Sequence, residues 1–221
     1  MITLDCIQGS AEWHFARLGL PTASQFHRIL IPKTRKISAS SEKYMHELLA
    51  EWIIGMPTGA SANAFMQRGT QMEAEAVSFY EFTRDVKVQR VGFVTRDDKL
   101  VGASPDGLLG ADGGLEIKCP SAVTHVANML DMTDDHWAQA QGGMYVTDRK
   151  WWDVLSYNPE MPSVVLRYQR DDTYIDALHL ALRDFLVNLL AARQKLRERG
   201  CIEATVLDPE FAASLQTPKA A

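Results

Sequence analysis

The apolar period of this 221-residue chain changes near residue 84, and that change limits the fold more than any other feature. Over roughly 63–83, Phe65, Met72, Ala76, Phe79 and Tyr80 recur at the spacing of a helix with one buried stripe. Beyond it the period becomes two. "VKVQRVGFV", "LVGAS" and "GLEIKC" read as strands separated by the turn signals "TRDDK" and "GADGG".

Residues 10 to 31 read as two short helices broken at Gly19-Leu20-Pro21, with Thr22 or Ser24 suited to cap the second. "IPKTRKISASSEKY" has no apolar period and reads as a polar, basic, mobile loop. A helix over about 42–54 precedes a Gly/Pro/Ser break. After Pro120 the apolar residues of 124–146 suit helices, and "WWDVLSY" and "VVLRYQR" suit two further strands. A last helix over about 172–199 buries Ile175, Leu178, Leu182, Phe185 and Leu189, and the tail beyond it reads as only partly ordered. This order implies an α/β fold, a central mixed sheet flanked by helices. The expected organisation is one domain over 1–221: a helical part at about 10–85, a sheet core at about 86–170, the long helix, and a tail over 200–221.

Composition narrows the function classes. No run is long enough to span a membrane, and "MITLDCIQGSAEWH" lacks the basic start and apolar core of a signal peptide, so a cytoplasmic protein is expected. Cys6, Cys119 and Cys201 are odd in number, widely spaced and without a CxxC pair, which argues against a disulfide framework and a structural zinc site. The net charge of −5 is not that of a generic nucleic-acid binder, so any phosphate contact must be local. "HELLA" lacks the second histidine of a zinc-protease helix, and no GxxxxGK[ST] loop exists for a nucleoside triphosphate.

The stretch "SPDGLLGADGGLEIKCP", 104–120, carries the chemistry. In a strand, Glu116 and Lys118 share one face while Leu115, Ile117 and Cys119 share the other. Two opposite charges inside an apolar strand are costly unless pairing or metal binding compensates. Asp106 stands in a Pro-Asp-Gly turn, and a hairpin through GADGG can return it beside Glu116. Two carboxylates and an ammonium would then converge on a site suited to a hard divalent cation and to phosphate chemistry. By spacing alone, a surface Glu–Lys pair on an edge strand fits equally well.

Here the sequence resembles a known family. "SPDGL" followed by "GLEIKCP" is similar to the active-site signature of the phage lambda exonucleases, alkaline exonucleases of viral recombination built on the restriction-endonuclease-like PD-(D/E)xK core. "WHFARLGLPTAS", "RGTQMEAEAVSFYEF" and "AQAQGGMYVT" resemble three further family elements, in family order, so the likeness runs from about 13 to 147 and more weakly to about 170.

The resemblance implies a 5′→3′ exonuclease that degrades one strand of double-stranded DNA to 5′-mononucleotides and leaves a 3′ overhang. It implies Mg²⁺, two ions per site, with Mn²⁺ as the other candidate. Asp106 and Glu116 would be metal ligands with the main-chain carbonyl of Ile117, Glu73 would approach from the side, and Lys118 and Gln139 would complete the catalytic set. Gln141 matches the same element, but two helical residues point about 200° apart, so only one glutamine can face the site. Arg17, Ser24 and Ser104 would bind the 5′-terminal phosphate. Met66 falls where the family has an apolar wedge, and Lys33, Arg35 and Lys36 could contact the DNA backbone; core packing and a solvated loop are the plain alternatives. The family further implies a homotrimeric ring and a phage-type single-strand annealing protein as partner, in the bacterial cytosol. The alternatives are an end-independent endonuclease on the same core and a catalytically silent DNA-binding subunit.

Overall fold

The computed structural model describes residues 1–58, 64–132 and 136–216, except the side chains of 64–71 and 216. Its centre is a five-stranded sheet of β2 (Val88–Gln89), β5 (Gly107–Leu109), β6 (Gly113–Lys118), β7 (Trp151–Ser156) and β8 (Val164–Gln169), in that spatial order. Only the β6–β7 pair is parallel, so the sheet is mixed. A parallel neighbour needs a crossover, and α4 (Ala122–Leu130) and α5 (Trp137–Thr147) supply it.

Alternation along the central strands divides the core in two. Leu115, Ile117 and Leu155 face α3 (Ala64–Arg84) and pack with Ala76, Val77 and Tyr80. Trp152, Val154 and Tyr168 face the other way, against Met144 and Val146 of α5 and Leu178 and Leu182 of α6 (Asp172–Glu198). All five apolar residues expected to form the buried stripe of α6 are buried. Two glycines make room for Trp152: a Cβ at Gly114 would lie 2.2 Å from its ring, and one at Gly143 2.7 Å.

A smaller sheet of β1 (Ile2–Leu4), β3 (Phe93–Thr95) and β4 (Gly102–Ala103) stands beside the first. The run "VKVQRVGFV" is therefore not one strand. It crosses between sheets, and Arg90, Val91 and Gly92 form the crossing. β5 is the partner that the GADGG turn requires, but its three residues are all buried and show no alternation.

At the other end, α1 (Ala11–Arg17) is followed by the second short helix, which is a 3-10 helix over Ala23–Arg28. Thr22 occupies its N-cap, but its hydroxyl makes no capping bond and meets Ser24 Oγ at 3.4 Å. The loop after it is tied down: Ile31 N donates to Lys36 O at 2.8 Å and Ser38 N to Ile29 O at 2.9 Å. α2 (Ser41–Ile54) follows, and the tail docks on its end through Ala204 N to Trp52 O and Asp208 N to Gly55 O before α7 (Pro209–Gln216). Among the described residues, no helix is long and apolar enough to cross a membrane.

Candidate active site

The β5–β6 hairpin brings Asp106 beside Glu116 for a local reason. Asp106 N donates to Leu115 O at 3.1 Å, the last backbone bond of the pair, and Asp106 Oδ2 then accepts from Ile117 N. A side chain thus continues the ladder where β5 has no residue left to do so. Both carboxylates end up buried, Asp106 at 8% and Glu116 at 7% exposure.

On the Glu116 face the polar groups close a small network. Lys118 Nζ lies 2.7 Å from Glu116 Oε1, Gln139 Nε2 donates to the same oxygen at 2.6 Å, and Lys118 Nζ reaches Gln139 Oε1 at 3.4 Å. Burial works against the Lys118 charge, but the Glu116 charge and hydrogen bond outweigh it and hold the ammonium above its ordinary pKa. Lys118 is therefore a permanent cation and donor at neutral pH. Burial, then Glu116 and Glu73, push the Asp106 carboxyl well above the usual carboxylate range. Glu73, brought in by α3, pairs with Arg90.

The donor set fits a divalent cation. Asp106 and Glu116 each use one oxygen in the bonds above, leaving Asp106 Oδ1 and Glu116 Oε2 outside them. Backbone N–H and C=O of one strand residue point to the same side. Ile117 N points to Asp106, so Ile117 O points into the same space, past the end of β5. Crowded buried carboxylates need a countercharge, and hard oxygen donors are what Mg²⁺ takes. Among the described residues no three His, Cys, Asp or Glu side chains form a metal cluster, so the set is two carboxylates and a carbonyl, with Glu73 at the side.

A cavity of about 360 Å³ runs from this network to the residues expected at the 5′ phosphate, its lining including Arg17, Ser24, Ser104, Asp106, Glu116 and Gln139. Arg17 Nη1 donates to Ser104 Oγ at 2.6 Å. Trp13, Gln8 and Trp152 also line it, and sequence reasoning had assigned none of them a role. Trp13 lay within the quoted "WHFARLGLPTAS"; Gln8, which donates to Pro105 O at 2.8 Å and so holds the Pro-Asp turn, had no signal at all.

The remaining candidates lie elsewhere. Gln141 is fully buried, its amide donating to Gln169 O and its carbonyl accepting from Asp171 N, so it has nothing to offer DNA. Its orientation is set by the start of α6 and the end of β8. Arg35 pairs with Asp171 at 3.5 Å, on the Gln141 side of α5, and Lys33 and Lys36 are exposed on the same loop. The Met66 side chain lies outside the described residues.

An aspartate in a turn before a Glu-x-Lys strand, on a mixed sheet flanked by helices, defines a nuclease fold of the restriction-endonuclease type. Within that class, the chain belongs to the YqaJ-like viral recombinase family, that of lambda exonuclease: residues 12–150 match its domain. The alkaline exonuclease LHK-Exo from Laribacter hongkongensis is 33% identical, with a TM-score of 0.75 over 86% of this chain and 97% of that one. Its complex with dAMP gives 34% identity and the same TM-score over the same shares. A phage-related exonuclease from Haemophilus somnus 129PT shares the fold at 16% identity, with a TM-score of 0.62 over 78% of this chain and 96% of that one. No curated protein sequence matches. The chain is a nuclease of this family.

Proposed function

We propose that the protein is a Mg²⁺-dependent 5′→3′ exonuclease of double-stranded DNA, releasing 5′-mononucleotides and leaving a 3′ overhang for single-strand annealing. The observation that carries this reading is the single cavity joining Arg17, Ser24 and Ser104 to Asp106, Glu116 and Gln139. Ser104 and Asp106 are two residues apart, so their Cα atoms lie within about 7 Å. A terminal phosphate held at Ser104 therefore leaves the next phosphodiester within reach of the carboxylates. An enzyme that cuts within a chain has no use for such a pocket. The dAMP bound by LHK-Exo, a deoxynucleoside monophosphate, accords with a mononucleotide product.

Asp106, Glu116 and the carbonyl of Ile117 would hold the cation, with Glu73 beside them, and the family reading adds a second ion. A bound divalent cation supplies Lewis acidity toward the phosphate and lowers the pKa of water. Gln139 and Lys118, both on Glu116 Oε1, fix how that carboxylate is presented. Lys118, 2.7 Å from Glu116 Oε1, is placed to donate to a phosphate oxygen as negative charge develops or to orient the attacking water. Arg17 binds two oxygens of the terminal phosphate through its fork. The same reading makes the chain one nuclease domain that works in the bacterial cytosol as a homotrimer, with a phage-type annealing protein as partner. A ring would let an acidic chain track DNA by the charge of its channel lining alone.

The test is digestion of linear duplexes labelled at either end, with and without a 5′ phosphate, in Mg²⁺, Mn²⁺ and EDTA, beside a closed circle. Mononucleotides released only from 5′ ends, with the circle spared and EDTA inhibitory, are expected. Cutting of the circle would give the site to an endonuclease, and no cutting to a silent subunit. Retained cleavage in Asp106→Ala or Glu116→Ala would remove the metal assignment.

A further inference from the structure

Arg90 stands beside Glu73, the side carboxylate of the site, and the reaction above gives it nothing to do. It lies in the three-residue crossing between β2 and β3, outside both ladders, so its side chain is free to lean across α3. Its Nη2 sits 2.5 Å from Glu73 Oε1, the two side chains being 47% and 19% exposed. Glu73 stands one turn before Ala76 and Val77 of α3, which pack against Ile117 of β6, so α3 sets it beside the strand that carries Glu116, and its charge helps to raise the Asp106 carboxyl. The guanidinium thus occupies the one side carboxylate that the metal site would draw on.

Two exchanges are then open to this pair. A half-exposed ion pair is held weakly, because water screens it and two side chains must be ordered. A phosphodiester offers arginine a better partner, with two oxygens matched to its fork. Departure of Arg90 leaves the Glu73 carboxylate, 19% exposed, open to another cation.

We propose that Arg90 couples DNA loading to metal binding: in the free protein it neutralises Glu73, and when DNA enters it moves to a backbone phosphate and leaves Glu73 to the divalent cation. The inference rests on the metal-site reading given above. Its thermodynamic consequence is reciprocal: DNA tightens the metal, and the metal tightens DNA, by the same factor. The full ligand set then forms only with substrate in place.

The test is calorimetric titration of the protein with Ca²⁺, an oxygen-seeking ion like Mg²⁺, alone and with a short 5′-phosphorylated duplex carrying hydrolysis-resistant phosphorothioate linkages. Wild-type protein should bind Ca²⁺ about tenfold tighter with DNA than without it. Arg90→Gln should bind Ca²⁺ severalfold tighter than wild type without DNA and show little further gain with it. Its DNA affinity should fall, and its log K against log salt slope should be shallower by about 1. Arg90→Lys should keep the wild-type slope. A melting curve for each variant checks the fold, which a half-exposed side chain should not disturb. If Asp106→Asn binds Ca²⁺ as wild type does, the metal-site reading fails and this inference with it. If Asp106→Asn loses Ca²⁺ while Arg90→Gln leaves affinity and coupling unchanged, only the role of Arg90 fails.

Discussion

Arg17 Nη1 donates to Ser104 Oγ at 2.6 Å, joining the first helix to the turn that carries Asp106. The same hydroxyl accepts from Trp13 Nε1 at 2.9 Å, and the guanidinium lies over the Trp13 ring, 4.2 Å from its centroid. Residues four apart share a helix face, which is why Trp13 and Arg17 can meet at one serine. Stacking fixes the plane of the fork and a single serine occupies one of its nitrogens, so further donors remain for an anion. Burial pulls the Arg17 pKa down, which marks a desolvated cation, one for which a phosphate is worth more than it would be in water.

Arg17→Ala should therefore erase the preference for phosphorylated ends. Hydrogen bonds to charged groups contribute about 1.5–3 kcal/mol, so kcat/KM on 5′-phosphorylated duplex should fall by roughly 10- to 150-fold. On 5′-hydroxyl ends it should change little. Arg17→Lys should recover only part, having the charge without the fork. Parallel kinetics on the two duplexes decide it, and an unchanged ratio would place the phosphate elsewhere.

Gln139 and Gln141 should separate catalysis from folding. Gln139→Ala frees Glu116 Oε1 from one of its two donors and should lower kcat by about 10- to 100-fold with little loss of stability. Gln141→Ala leaves Gln169 O and Asp171 N without their partner in the core and should cost about 1–3 kcal/mol in urea unfolding, with kcat retained below the transition. The reverse pattern would exchange the two roles.

The part of this site that could be read in advance is the part decided locally. A Pro-Asp-Gly turn, a glycine-rich hairpin and a period of two are enough to bring Asp106 to Glu116 and to set Lys118 on the same face. Choosing between Gln139 and Gln141 needed the position of α6, which a helical pattern cannot supply. β5 was too short and too buried to alternate. The break at Arg90, Val91 and Gly92 was hidden because Val88 and Phe93 look alike in sequence although they enter different sheets. Gln8 reaches Pro105 O from 97 residues away, a contact with no local cause.

Asp153 is the strongest structural prediction. It is fully buried, accepts Tyr80 OH at 2.6 Å, and pairs with Arg167 through two nitrogens at 2.6 and 2.8 Å. The network ties α3 to β7 and β8 on the face opposite Glu116. Burial and Asp153 together push the Tyr80 hydroxyl well up, so it stays a donor. Asp153→Ala should cost about 1.5–3 kcal/mol in denaturant unfolding, because the buried tyrosine hydroxyl is left without its acceptor and the charge-assisted bonds to Arg167 are lost. Tyr80→Phe should cost about 1 kcal/mol. Equal costs for the two would mean that the Arg167 bonds contribute nothing.

His14 should make the protein acid-sensitive from one identifiable place. Its ring meets Trp13 edge-on at 4.8 Å and Phe211 of α7 at 5.1 Å. Burial, and then the Arg17 charge, lower its pKa from 6.5 to about 4. The unfolded chain binds this proton first, so the unfolded state holds more protons between those two values. Stability is therefore lost as pH falls from about 6.5 toward 4 and is unaffected above. With allowance for the solvent around a half-buried ring, the loss should be on the order of 1–2 kcal/mol. His14→Gln cannot take up the proton, so its unfolding free energy should fall less between pH 7 and pH 4.5 than that of wild type. Carboxylates titrate in both proteins, and their contribution drops out of the comparison. Urea unfolding at the two pH values measures the difference, and parallel losses in the two proteins would show that the histidine takes up its proton without resistance from the fold.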